Sequence, residues 1–307
     1  METWTLKDIP WDHFDKTKVN PQIIPVVKAA SMVEYNADDY RHYLNCVFRD
    51  DKRICAAINH WSIEEVQHGE ALGRWAKLAD PSFDFDRSFD RFVCNFKFPL
   101  DVTQSVRGSR ASELVARCMV ETGTSSFYRA LADATDEPVL KEVCSRIAED
   151  EFAHYCLFHT YLRKYLRMEN LSFIDRLRVA FSRVAETEDD ELASAYWAAN
   201  RAGEHFDRRS NAVAYARETL KYYRPAHINR AVDMIFGALG LDPRGPGGWL
   251  ATRAVRIFIW YRGRLCPRMA FCISRLHIGW CLCRVLVSRP IGRYDAMNRA
   301  NSSRTPR

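Results

Sequence analysis

Two short segments of this chain carry the same unusual pattern. In "WSIEEVQHGEAL" Glu65 precedes His68 by three residues, and in "AEDEFAHY" Glu151 precedes His154 by three. Residues three apart on an α-helix share a face. Both pairs fall on apolar stripes. Ile58, Trp61, Glu65, His68 and Leu72 step by three or four, and so do Leu140, Cys144, Ile147, Glu151, His154 and Phe158. A helix that aims a carboxylate and an imidazole at a core must meet a partner there, because burying an unpaired charge is very costly.

The partner is legible as a repeat. Glu121 lies on the stripe Leu114, Cys118, Glu121, Ser125, Tyr128, and Glu34 on the less regular stripe Val27, Ala30, Glu34, Asp38. Glu34 stands 31 residues before Glu65, Glu121 stands 30 before Glu151, and the two Glu–His pairs are offset by 86. The chain reads as two copies of one unit: a helix with an inward Glu, a turn, then a helix with an inward Glu-x-x-His. Four such helices are the layout of bundles that hold two metal ions. Four carboxylates balance two divalent cations, and two neutral imidazoles complete the shell. Oxygen and imidazole ligands without thiolate suit iron or manganese, including a mixed pair. A hydrolytic HExxH motif is absent, which disfavours zinc. Asp38, one turn from Glu34, is the rival ligand on the first helix. Glu64, Glu70, Glu149 and Asp150 lie off the stripes or at their edges and are expected on a solvated face.

The expected fold class is all-α. Residues 1–20 read as an irregular arm with aromatic anchors Trp4, Trp11 and Phe14. Helices are expected over about 24–48, 54–79, 112–134 and 138–166. The short turn "RDDKR" at 49–53 makes the first two antiparallel neighbours, and residues 80–108 form a long crossover with one short helix. Asp136 or Glu137 before Pro138 suits a helix start. Further helices are expected at about 172–186, 189–201, 210–223 and 226–239, the last ending at glycine and proline. "RGPGG" at 244–248 is the clearest linker. The organisation is an arm (1–20), a four-helix metal bundle (21–170), added helices packed on it (171–241) and a tail (242–307).

The tail is chemically distinct. The net charge of +6 hides a basic segment from Asp242 to Arg307 with 13 arginines, no lysine and two acids. It mixes arginine with large apolar residues, which suits contact of residues 249–293 with an anionic membrane surface, set against a divergent tail with no fold of its own. No stretch of 18 uncharged apolar residues occurs, so a clean membrane span is not expected. No nucleic-acid module is recognisable. Ten cysteines include no CxxC pair. Without an apolar signal run at the start, a reducing, cytoplasmic setting with free thiols is expected.

"WSIEEVQHGEAL" resembles the second-helix motif of acyl-carrier-protein desaturases, and "AEDEFAHY" is similar to their fourth-helix motif, over about residues 23–166. A closer likeness, through "VEYNADDY", "EEVQHGEALGRW" and "YRPAHINRAV", is to bacterial ferritin-like proteins of unassigned activity. The resemblance implies a ferritin-like bundle in which Glu65 and Glu151 bridge two irons. Glu34 with His68 would cap one iron and Glu121 with His154 the other. It also implies that Thr124 lies on the oxygen-binding side as a proton donor.

The function expected is a non-haem di-iron oxidoreductase that activates O2 to oxidise or desaturate a small organic or acyl substrate. With neither CxxC pairs nor a GxGxxG loop, it needs an external electron donor. The alternatives are a ferritin- or rubrerythrin-like protein handling iron or peroxide, and a radical-generating ribonucleotide reductase subunit. The last would use a tyrosine beside the metals, from Tyr35, Tyr128 or Tyr155. Self-association as a homodimer stays open.

Overall fold

Glycine and proline are sparse between residues 24 and 79 and between 110 and 169, and the backbone there is almost entirely helical. The computed structural model describes residues 4–97, 100, 102–185 and 190–262. Among the described residues there are eleven α-helices and no strand. They are α1 (Ile24–Tyr35), α2 (Ala37–Val47), α3 (Lys52–Ala79), α4 (Phe85–Asn95), α5 (Arg110–Ala134), α6 (Pro138–Glu169), α7 (Phe173–Ala185), α8 (Asp190–Asn200), α9 (Arg208–Leu220), α10 (Pro225–Leu239) and α11 (Pro246–Arg262).

Local chemistry sets the helix ends. Asp51, Ser109 and Glu137 accept backbone N–H bonds at the starts of α3, α5 and α6, which satisfies donors that a helix N-terminus leaves open. Glu137 is fully buried and also accepts from Trp75 Nε1 at 2.7 Å. Gly240 ends α10 at φ 72°, in the left-handed region, and Leu241 N bonds back to Phe236 O at 2.8 Å.

Three sequence expectations change. The helix expected over 24–48 is two helices, broken at Asn36, whose N–H reaches the carbonyls of both Met32 and Val33. Asp38 is thereby carried to an exposed position, where it pairs with Arg41 at 2.9 Å. The glycine-rich linker at 244–248 contains the start of α11, with Pro246 as its first residue, a position where proline's missing N–H costs nothing. Among the free cysteines of the described residues, Cys118 and Cys144 are buried, and Cys94 and Cys156 are exposed.

Helix α1 packs on α3, α5 on α6, and α3 on α6. One apolar cluster, with Val27, Leu72, Trp75, Leu131, Leu140 and Ile147, fills one part of this assembly. A second, with Leu44, Ile58, Trp61, Leu114, Phe158 and Leu162, fills another. Three of the added helices lie against these four, α7 and α10 on α5 and α8 on α1, and α9 packs mainly on α8. The described part of the arm, residues 4–20, contains neither α-helix nor strand. Three 3-10 turns, Leu6–Asp8, Trp11–His13 and Lys16–Lys18, lay the segment down, and Trp4 is buried at 7% exposure.

The described residues belong to one unit, Met1–Arg264. None of their helices is long and apolar enough to cross a membrane. Most of the segment expected to touch a membrane, 249–293, lies outside the described residues. Its described part in α11 exposes Trp249, Leu250 and Ile257 beside Arg253 and Arg256.

Candidate metal centre

The inward glutamates come from α1, α3, α5 and α6, and the histidines from α3 and α6. Glu34, Glu65, His68, Glu121, Glu151 and His154 are all buried, between 0% and 7% exposed. They form two groups that share Glu65 and Glu151. Glu34, Glu65, His68 and Glu151 offer ligand atoms within 4.8 Å of one another, and so do Glu65, Glu121, Glu151 and His154.

The arrangement has an approximate two-fold character that follows the 86-residue repeat. His68 Nδ1 lies 3.3 Å from Glu151 Oε1, and His154 Nδ1 lies 3.0 Å from Glu65 Oε1. The outer nitrogens are held by carboxylates of the opposite helix. Asp150 Oδ2 sits 3.0 Å from His68 Nε2, and Glu64 Oε2 sits 3.0 Å from His154 Nε2. Sequence reasoning placed Glu64 and Asp150 on a solvated face. That expectation is corrected: each is partly shielded and orients the other repeat's histidine. A signal for them existed, since Glu64 and Asp150 are themselves 86 residues apart.

Other neighbours fix the glutamates. Tyr128 donates its hydroxyl to Glu34 Oε1. Arg117 Nη2 donates to Glu121 Oε1 at 2.6 Å. Thr124 Oγ1 donates to Glu151 Oε2 at 2.5 Å. Arg117 adds a buried positive charge that the simple balance of four carboxylates against two cations did not contain. Its guanidinium lies 4.7 Å from the Trp61 ring centroid and 5.4 Å from those of Tyr40 and Phe158. Trp4 reaches the centre from the arm. It stacks on His68 at 6.0 Å and donates Nε1 to Asp150 at 2.6 Å. Of the other two tyrosines considered, Tyr155 donates to Met234 O, and Tyr35 packs edge-on against Phe85 and Phe89.

Burial and crowding set the charges. Burial, then the Glu65 charge, pushes the Glu34 carboxyl well above the carboxylate range. Glu151 is pushed up the same way, by burial and then by Glu65, Glu34 and Glu121. For Glu65 burial works upward too, but His154 prevails and holds it at about 2. Burial works to lower His154, yet Glu64 and Glu65 raise it to about 10. The protein alone thus compensates its carboxylates with protons, the His154 imidazolium and Arg117.

That compensation is incomplete. Glu65 Oε1 faces His154 Nδ1 at 3.0 Å and Glu151 Oε1 faces His68 Nδ1 at 3.3 Å, but none of these four buried atoms has a well-directed hydrogen bond. An unsatisfied buried polar atom costs about 1–3 kcal/mol, and native structures contain few of them. Four in one place, converging from both repeats, mark where a missing group belongs. The donor set is carboxylate and imidazole, and the neighbouring Cys118 stays a thiol because burial, then Glu121, raises its pKa. Residues of this kind fit a divalent cation.

The carboxylate side opens into a cavity of about 290 Å3 whose lining includes Glu34, Glu65, Glu121 and Glu151. Its far wall comes from outside the repeated units, with Leu192 of α8 and Tyr215, Thr219 and Leu220 of α9. Compared with known proteins, the chain matches no family model and no curated sequence.

Proposed function

We propose that this chain is a ferritin-like di-metal oxidoreductase that uses O2 to oxidise or desaturate a small organic or acyl substrate. The observation that carries the reading is the pair of overlapping ligand groups sharing Glu65 and Glu151, with four buried ligand atoms that face one another without a well-directed hydrogen bond. Glu34 and His68 would hold one iron or manganese, Glu121 and His154 the other, and Glu65 and Glu151 both. When bound, two such ions supply the redox chemistry for reducing O2. The balance is four electrons per O2 reduced to water, two from the substrate and two from an external donor.

The protein's own groups have separable tasks. Asp150 and Glu64 lock the histidine rings so that Nδ1 faces inward, the usual service of a carboxylate behind a metal-binding imidazole. Arg117 occupies one oxygen of Glu121 and leaves the other directed at the group. Thr124 holds a proton on the cavity side of Glu151, which suits it to deliver that proton as O2 is reduced. The cavity favours an oxidoreductase over iron storage, because it provides room for an organic molecule against the carboxylates.

Loading the purified protein with ferrous iron under anaerobic conditions should give two metals per chain, and fewer in Glu65→Ala and His154→Ala. Less than one metal per wild-type chain would overturn the assignment. Oxygen uptake by the reduced, loaded protein that rises with candidate substrates supports the oxidoreductase. Uptake proportional to iron alone favours iron handling.

A further inference from the structure

Three glycines lie inside the long helices α3 and α5, where each costs up to about 1 kcal/mol relative to alanine. Two have a packing reason. A Cβ on Gly69 would lie 2.5 Å from Tyr35 N, and one on Gly73 would lie 2.9 Å from the Phe85 ring. The third, Gly123, has none, for a Cβ there would meet nothing within 4 Å. Its φ is not positive, so backbone conformation does not demand it either. Gly123 is exposed on the wall of the 290 Å3 cavity, between the ligand Glu121 and Thr124. Packing and backbone geometry leave one consequence of its missing side chain, which is open space beside the carboxylates.

The size and lining of that space narrow what it takes. An apolar cavity of roughly 150 Å3 holds benzene, so this one suits a single ring with a short chain, roughly a dozen non-hydrogen atoms. The surface of the cavity is mostly apolar, and its lining includes the aromatic side chains of Tyr40, Trp61, Phe127, Tyr215 and Tyr223. Phe127 is buried there, and Tyr215 and Tyr223 are half-buried. Among the charged side chains of the lining, Arg117 pairs with Glu121, Glu191 accepts from the Tyr40 hydroxyl, and Arg183 stands there too. The mostly apolar surface favours an uncharged ligand, because an ionic one would lose its hydration there.

We infer that Gly123 is the size-determining residue of a substrate subsite for uncharged, single-ring aromatic compounds. The inference rests on the proposed function for its meaning as a substrate subsite, but the binding it requires can be measured without turnover. Calorimetric titration of the iron-loaded full-length chain with 3-phenylpropan-1-ol should show one site, and Gly123→Leu should weaken it at least tenfold. Gly123→Ala should fall between, with circular dichroism and metal content unchanged in both variants.

Equal affinity in wild type and Gly123→Leu would overturn the inference. So would binding of palmitoleate more tightly than the aromatic alcohol. The two proposals fail separately. If the chain takes up no metal but still binds the alcohol in a Gly123-dependent way, the di-metal reading falls and the subsite stands. Two metals per chain with no aromatic binding would reverse that outcome.

Discussion

Glu64 holds the outer nitrogen of His154 at 3.0 Å, across 90 residues of chain and between two different helices. Asp150 does the same for His68 at 3.0 Å. Neither carboxylate belongs to the two groups that could hold a metal. Their effect is on orientation and on the basicity of the inner nitrogen. Glu64→Gln and Asp150→Asn should each weaken metal binding about 10–100-fold while leaving helix content unchanged. Competition titration against a chelator of known affinity checks this, and unchanged affinity would show that the rings are fixed by packing alone.

Metal uptake should release protons, and the sign can be worked out group by group. In the metal-free chain Glu34 and Glu151 stay protonated above their ordinary range, and His154 keeps its proton up to about 10. A metal must displace these protons, so its apparent affinity should rise as pH increases from about 5 to 8. The metal-free fold binds more protons at these groups than the unfolded chain, so their contribution to stability falls with rising pH. For His154 it is fully present below its ordinary value near 6.5 and lost through about 10. Glu65 acts oppositely: its contribution is present above 4.5 and lost as pH falls through about 2. Urea unfolding with and without bound metal, at several pH values, should show two stabilities that diverge as pH rises.

Arg117 is buried and its ion pair with Glu121 is 2.6 Å long. Arg117→Met leaves Glu121 without its cation, a change that costs about 3–5 kcal/mol for a buried pair. Bound metal supplies replacement positive charge, so the loss in urea unfolding should be clearly smaller in the loaded protein. An equal loss in both forms would mean that Arg117 acts through its aromatic contacts with Tyr40, Trp61 and Phe158.

Gly69→Ala should be destabilising, because its Cβ would meet the Tyr35 backbone at 2.5 Å and overpacking of this kind costs about 1–3 kcal/mol or more. Tyr35 is the residue after Glu34, so relief by moving α1 should also reduce metal content. Gly123→Ala meets no such atom and should stabilise the fold by about 0.5–1 kcal/mol. Thermal denaturation of the two variants side by side tests the contrast.

The four inward glutamates and two histidines were legible because helical periodicity places residues on faces without knowledge of the partner helix. Their 86-residue offset carried the rest. The break at Asn36 was not legible, since no glycine or proline marks it and asparagine is only a modest helix breaker. Glu64 and Asp150 were misplaced because rotation about one helix says nothing of a histidine arriving from another. Trp4 lies 146 residues from Asp150, and no local pattern announces so distant a contact. At 244–248, glycine and proline looked like a linker, yet proline is also a common first residue of a helix, as Pro246 is here.

The cavity draws its two sides from different parts of the sequence. One side belongs to the helices that carry the pattern repeated after 86 residues. The other wall, with Leu192, Tyr215 and Leu220, lies outside those helices. Drift in α8 and α9 can therefore change what the cavity admits while the first side stays untouched. The part of selectivity set by that wall can change without touching the six buried Glu and His residues, whereas the part set by Gly123 belongs to α5 and changes beside Glu121.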